Sequence, residues 1–456
     1  MAVGFRQSSA SVTSANLCRP TASSYRWAIC ALLFWVTTAN YIDRGVFGNL
    51  APELKKTIGW TDEDYWNMQV AFQAAYAVSL LVMGRVMDLL GLRRGFVLAC
   101  ALWGLASMTH AFAPEIGGLF GSAITGFFIC RVLLGFGEGG NFPAAIKTTA
   151  EWFPKSERAL ATGLFNSGSN VGGILVPWGL PFVVAQFSAV TIGGITVGWR
   201  GAFVITAVID LCWIVAWLAI YKKPENHPRV SAAELAVIQN EPVESTVKIP
   251  WRKLLPHRQT WAFCAAKGMT DCFWWFYLFG SPDFFNKKFG LGPEDRKYMI
   301  MLIYVVASVG SIAGGWLSGR FMKQGWTVNR ARKTTLFICA ACVVPVACSA
   351  MTGNQWVAAG LITLAAAAHQ AWSANAYSLA GDMFPKRVVG SVTGFGGMVG
   401  AVGGIVLFFV TGKVLKATGN YLPVFILASL AYVAALLVIH LLAPRLEPVK
   451  AEALAA

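Results

Sequence analysis

Residues 153–174 read FPKSERALATGLFNSGSNVGGI, and this stretch decides the fold because it occurs twice. A shift of 231 residues lays Phe153, Pro154, Lys155, Thr162, Gly163, Val171, Gly172, Gly173 and Ile174 on Phe384, Pro385, Lys386, Thr393, Gly394, Val402, Gly403, Gly404 and Ile405. Ordinary residue frequencies give about one or two such matches by chance. The same offset carries Gly84 onto Gly315 and Asp88 onto Gly319, so the register holds well upstream. The chain is two related halves in parallel order, and long parallel repeats in an apolar chain are a signature of membrane transporters.

Composition sets the solvent. The 456 residues are 56% hydrophobic and 13% charged, too little polar surface to cover a soluble globule of this size. The net charge of +15 does not point to nucleic acid, which needs basic residues gathered on one face with stacking aromatics. Here the basic residues stand in short loops between apolar runs, where they orient a protein in a bilayer. Most of the ten cysteines fall inside apolar runs as small hydrophobes. The pair Cys339-x-x-Cys342 has no second ligand pair, so neither a metal nor a cofactor is expected.

A spanning helix needs about 20 mostly apolar residues. The expected spans are 26–48, 66–87, 95–113, 119–140, 159–185, 200–221, 260–281, 298–318, 333–351, 355–378, 388–412 and 421–443. The expectation is an all-α membrane protein: a tail over 1–25, a six-helix half over 26–221, a linker over 222–259, a second six-helix half over 260–443 and a tail over 444–456. Loops after even-numbered spans hold Arg93, Arg94, Lys147, Lys155, Arg158, Lys222, Lys223, Arg330, Arg332, Lys333, Lys386 and Arg387. By the positive-inside rule both termini are cytoplasmic. Glycines crowd the fourth, fifth and eleventh spans, where they permit close helix approach and sliding.

The loop Gly84-Arg-Val-Met-Asp88-Leu-Leu-Gly91-Leu-Arg93-Arg94 matches the pattern G-x-x-x-D-x-x-G-x-[RK]-[RK], and with twelve spans in two halves it resembles the major facilitator superfamily. The resemblance implies that Gly84, Asp88, Gly91, Arg93 and Arg94 help to latch the cytoplasmic side. The second copy departs from the pattern, with Gly319 where the acid should stand. Asn40-Tyr41-Ile42-Asp43-Arg44, the run from Arg131 through Gly135 and Glu138 to Pro143, and Glu151 to Arg158 resemble the anion:cation symporters within that superfamily. Ala368-His369-Gln370-Ala371 and the helix opening at Trp261 are similar to bacterial hexuronate carriers, which implies a bacterial inner-membrane protein.

Beside the resemblance stands a physical test. A charge in the bilayer interior needs a partner, a wet cavity or a function. Asp43 and Arg44, Arg131 and Glu138, and Lys267 and Asp271 meet it. Adjacent helical residues point about 100° apart, so one of Asp43 and Arg44 faces the cavity and the other a neighbouring helix. The expectation is that Arg44 grips a substrate carboxylate with its planar guanidinium, Arg131 supports Asp43, and Glu138 exchanges a proton. Lys267 is a second anion seat. Trp274, Trp275 and Tyr277 offer faces to a sugar ring, and Tyr76, Asn166, Asn170, His369, Gln370 and Asn375 offer hydrogen bonds to its hydroxyls.

No P-loop and no H-E-x-x-H accompany these charges, so an enzyme or an ATP-driven pump is not expected. The reading is a monomeric, proton-coupled importer of a sugar-acid anion, a hexuronate foremost. A carrier of aldonates, aldarates or other organic anions, and a non-transporting membrane sensor, are the alternatives.

Overall fold

Long apolar runs separated by capping residues produce the helices. In this computed structural model, which describes residues 24–192, 195–239 and 249–449, the first segment is α1 (Arg26–Ile58), about 50 Å long at 1.5 Å per residue. It ends where Gly59 adopts φ 81° and its N–H bonds back to Lys55 O. Thr61 and Asp64 then form a reciprocal capping box that starts α2 (Asp62–Leu90). Next come α3 (Leu92–His110), α4 (Ala113–Gly118), α5 (Ala123–Glu138), α6 (Asn141–Trp152), α7 (Lys155–Ser188) and α8 (Arg200–Ile220). The linker contributes α9 (Ala232–Ile238). The chain continues as α10 (Arg258–Gly268), α11 (Asp271–Trp275), α12 (Ser281–Phe289), α13 (Pro293–Lys323), α14 (Val328–Val343), α15 (Gln355–Met383), α16 (Val389–Thr418) and α17 (Leu422–Leu442). Of the expected tails over 1–25 and 444–456, residues 1–23 and 450–456 lie outside the described residues, as does the linker stretch 240–248.

Twelve membrane positions result, two of them broken. The fourth is α5 followed by α6, interrupted at Gly139 and Gly140, where a Cβ on Gly139 would stand 2.6 Å from the Ser79 side chain. The seventh is α10, α11 and α12, with a π-helical turn over Phe276–Gly280. Among the described residues, eight positions are long and apolar enough to span on their own. Of the other four, α1, α10 to α12, and α15 carry polar side chains described below.

The halves meet through α2 against α16 and α7 against α13. Contact is tightest at the end that carries the chain termini. A Cβ on Gly84 would overlap Gly390 O, one on Gly163 would overlap Ser311 O, and one on Gly315 would overlap Ala159 O. Towards the opposite end a side chain takes over, the Tyr304 ring lying 3.0 Å from a Cβ position on Gly173.

Charges lock the tight end. Asp88 accepts from Lys147 Nζ at 2.7 Å within its own half, and from Ser391 N at 2.7 Å and Ser391 Oγ at 2.6 Å across the interface. Arg93 turns away to Leu218 O, and Arg93 and Arg94 are exposed in a groove shared with Lys222 and Lys223. A second clamp is built from other residues: Asp382 accepts from Arg332 at 2.8 Å and lies 3.5 Å from Arg158 of the other half. Arg332 also donates to Lys155 O and Arg158 to Gly381 O, both across the interface. Gly319 stands where it does because a Cβ there would come 2.5 Å from Ser156 O. An aspartate would collide with α7 instead of capping it.

Candidate functional site

Between the halves lies a narrow cavity of about 40 Å³. Tyr41 of α1, Tyr76 of α2 and Asn166 of α7 line one wall; Lys267, Asp271, Trp274 and Trp275 of the broken seventh position, with His369, Gln370 and Ser373 of α15, line the other. Phe142 stacks on Tyr377 across the halves, ring centres 5.3 Å apart, and narrows the cavity towards the terminal end.

Two ion pairs stand at this space: Lys267–Asp271 lines it, and Arg44–Glu138 lies behind the lining rings of Tyr41, Tyr76 and Trp275. Arg44 Nε and Nη2 both donate to Glu138 Oε2, at 2.9 and 2.6 Å, and Glu138 Oε1 takes no hydrogen bond among the described residues. The guanidinium sits over Tyr41 at 4.9 Å, Tyr76 at 4.7 Å and, across the interface, Trp275 at 5.7 Å. Opposite, Lys267 Nζ pairs with Asp271 at 2.8 Å, reaches Ser373 Oγ at 3.4 Å and lies 3.4 Å from the centre of the Tyr377 ring. Each cation is already held by one acid, so an anionic ligand enters by exchange.

Several polar side chains are tied to each other. Asn166 donates to Gln370 Oε1 at 2.5 Å and to Ser311 Oγ at 3.3 Å, bridging the halves beside the cavity. His369 bonds the Tyr432 hydroxyl at 2.7 Å and stacks under Trp274, which fixes the indole as a flat wall.

Asp43 and Arg44 diverge as the 100° spacing predicts. Arg44 turns onto Tyr41, Tyr76 and Trp275 of the cavity lining, while Asp43 points into its own half and accepts from Ser107 at 2.7 Å. Arg131 does not support Asp43. It donates to Gln69 at 2.5 Å and is sandwiched between Phe47 and Phe72, at 4.6 and 4.1 Å. Three expected ligands of the sugar lie off the cavity lining. Asn375 braces α13 and α15 through Gly314 O and Ala371 O and accepts from Arg332 at 3.4 Å. Tyr277 is buried beside Phe276, and Asn170 is fully buried one turn beyond Asn166. Sequence reasoning missed Tyr41, Ser373 and Tyr377. Their spacings, three before Arg44 and three and seven beyond Gln370, place them on the same helix faces.

A sequence profile of the Major Facilitator Superfamily matches residues 33–408. The chain belongs to the Major Facilitator Superfamily. It is a multi-pass membrane transporter and not an enzyme. The chain is 27% identical to the hexuronate transporter of Escherichia coli (strain K12) over 406 residues, 88% of this chain and 90% of that one. It is 29% identical to the galacturonate transporter of Dickeya chrysanthemi over 304 residues, 65% of this chain and 83% of that one. Among solved structures, the proton:xylose symporter XylE bound to 6-bromo-6-deoxy-D-glucose superposes with a TM-score of 0.72 at 15% identity, covering 95% of this chain and 98% of that one. That likeness extends to the fold.

Proposed function

We propose that this chain imports a sugar-acid anion with a proton, a hexuronate such as galacturonate or glucuronate, by alternating access. The observation that carries the reading is a pair of cation–carboxylate contacts at one cavity walled by Trp274 and Trp275: Lys267–Asp271 in its lining and Arg44–Glu138 behind the lining rings of Tyr41, Tyr76 and Trp275. The relatives named for hexuronate and galacturonate support the substrate class. The positive-inside loops support cytoplasmic termini, with the closed end on the cytoplasmic side and ligand reaching the cavity from outside.

Coupling follows from charge. With both acids ionised the four groups are neutral together. A ligand carboxylate that takes the Arg44 fork leaves Glu138 without its cation in an apolar site, and a proton on Glu138 restores neutrality. Proton and anion then cross together as residues 26–221 rock against 260–443, with the Asp88 and Asp382 clamps opening and re-forming. The indole faces take the apolar side of the sugar ring, and Gln370, Ser373 and Tyr76 meet its hydroxyls.

A second reading keeps the mechanism and changes the substrate. Two cations on opposite walls also suit a sugar acid with a carboxylate at each end, an aldarate. Quenching of the tryptophans by galacturonate, glucuronate, galactarate and neutral galactose tests both. The expected result is saturable quenching by the uronates and binding of galactose about a hundredfold weaker, since the sugar leaves the Arg44 fork unfilled. Tightest binding by galactarate selects the second reading, and equal binding of galactose overturns both.

A further inference from the structure

The sixth membrane position holds an acid that the transport reading does not use. Asp210 of α8 is 1% exposed, as is Asp43 of α1, and the two carboxyl groups are neighbours within the first half. Gly104 of α3 allows this approach, since a Cβ there would stand 3.3 Å from Asp210 Oδ2. Ser107 Oγ donates to Asp43 Oδ1 and shares a 2.9 Å contact with Thr206 Oγ1, and the Trp103 indole lies beside Asp210. Asp43 Oδ2 and both Asp210 carboxyl oxygens complete no hydrogen bond among the described residues, the Trp103 indole and the Thr206 hydroxyl being the donors beside them. Two carboxyl groups side by side and buried, with three of their four oxygens completing no hydrogen bond, are matched by one proton between them.

We propose that Asp43 and Asp210 form a carboxyl pair that holds one shared proton and ties its occupancy to the position of α1, a step that rests on the proton-coupled reading above. The proton sits between an oxygen of each carboxyl group; the pair then carries one negative charge, and loss of the proton to water leaves two anions face to face. The other titratable and charged groups around the pair are Cys100 of α3 and Glu138 of α5, with Arg44 beyond Glu138. His110 of α3 is turned onto Phe203, and Arg131 is held between Phe47 and Phe72. No basic side chain forms an ion pair with either acid among the described residues. Repulsion between two anions therefore acts directly across the contact of α1 with α8. Because Arg44 follows Asp43 on α1, a displacement there moves the cavity's main anion seat. Asp210 acts through Asp43 and is a positioning residue.

Infrared spectra of the substrate-free protein at neutral pH test the pair. The expected result is a protonated carboxylic-acid band in the wild type that persists in Glu138→Gln and disappears in both Asp43→Asn and Asp210→Asn. Proton-driven uptake falls about tenfold in each single variant, and the double variant is no worse than either, because both remove one unit. Asp210→Glu restores the band. A band that survives both single substitutions, or losses that multiply in the double variant, overturns the pair. Uptake driven by an imposed sodium gradient and lost in Asp210→Asn places a metal cation there and also overturns it. Should Asp210→Asn fail to fold, the Glu138→Gln spectrum decides alone, and absence of the band refutes the proposal. The spectra contain no substrate, so a band present without hexuronate uptake overturns the substrate reading and leaves the pair standing.

Discussion

Arg44→Ala is expected to weaken hexuronate binding about a hundredfold or more and to take uptake to background. Removing one member of a buried, hydrogen-bonded charge pair costs about 2–5 kcal/mol, and each 1.4 kcal/mol is tenfold in affinity. Two losses combine here. The ligand carboxylate loses a planar fork, and Glu138 loses the cation that both Nε and Nη2 now supply. Arg44→Lys keeps the charge but offers a point donor in place of the fork, so it recovers a minor part of the affinity. Tryptophan quenching gives the affinity, and thermal unfolding of the purified variants separates lost binding from lost folding. Affinity within about threefold of wild type in a well-folded Arg44→Ala moves the anion seat to Lys267.

Gly84→Leu is expected to abolish transport without touching the cavity. The first added atom already overlaps Gly390 O, and the α-carbon of Gly394 is 3.2 Å away. Backbone on both sides leaves nothing flexible to yield, and overpacking a tight contact costs about 1–3 kcal/mol even where neighbours can shift. Here the cost falls only on the state closed at the terminal end, so the equilibrium moves away from it. Spin labels at the terminal ends of α2 and α16 read this as a longer distance, with uptake at background. Gly179→Leu is the control: nothing lies within 4 Å of its Cβ position, and uptake stays within about twofold. Normal uptake in Gly84→Leu means that closure does not need this contact.

These two residues also show what the sequence made legible. The repeat put Gly84 and Gly315 in register, and both are contact points between the halves. The 100° step from Asp43 to Arg44 sends the two side chains apart, Arg44 onto the aromatic lining of the cavity and Asp43 into the first half. Helix periodicity says which residues share a face and not which helix stands opposite. Arg131 was therefore assigned to an acid when its partner is the uncharged Gln69 between two phenylalanine rings. Breaks defeat the period altogether: the π-helical turn beginning at Phe276 leaves Trp274 and Trp275 on the cavity and Tyr277 in the core. Asn375, five residues beyond Gln370, lies about 140° round α15 and braces α13. Asp210 was visible to the rule that singled out Asp43, as an acid within an apolar span, and needed only to be counted. The second clamp was hidden because Asp382, Arg332 and Arg158 come from three segments whose meeting depends on the closed interface.

The central claim is that a proton on Glu138 and an anion on Arg44 cross together. Uptake of labelled galacturonate and glucuronate into proteoliposomes under an inward proton gradient, for the wild type and Glu138→Gln, tests it most directly. The account predicts accumulation above equilibrium by the wild type. It predicts that Glu138→Gln, whose neutral amide mimics the protonated acid, loses that accumulation while still exchanging internal for external substrate. Accumulation by Glu138→Gln at the wild-type level would contradict it.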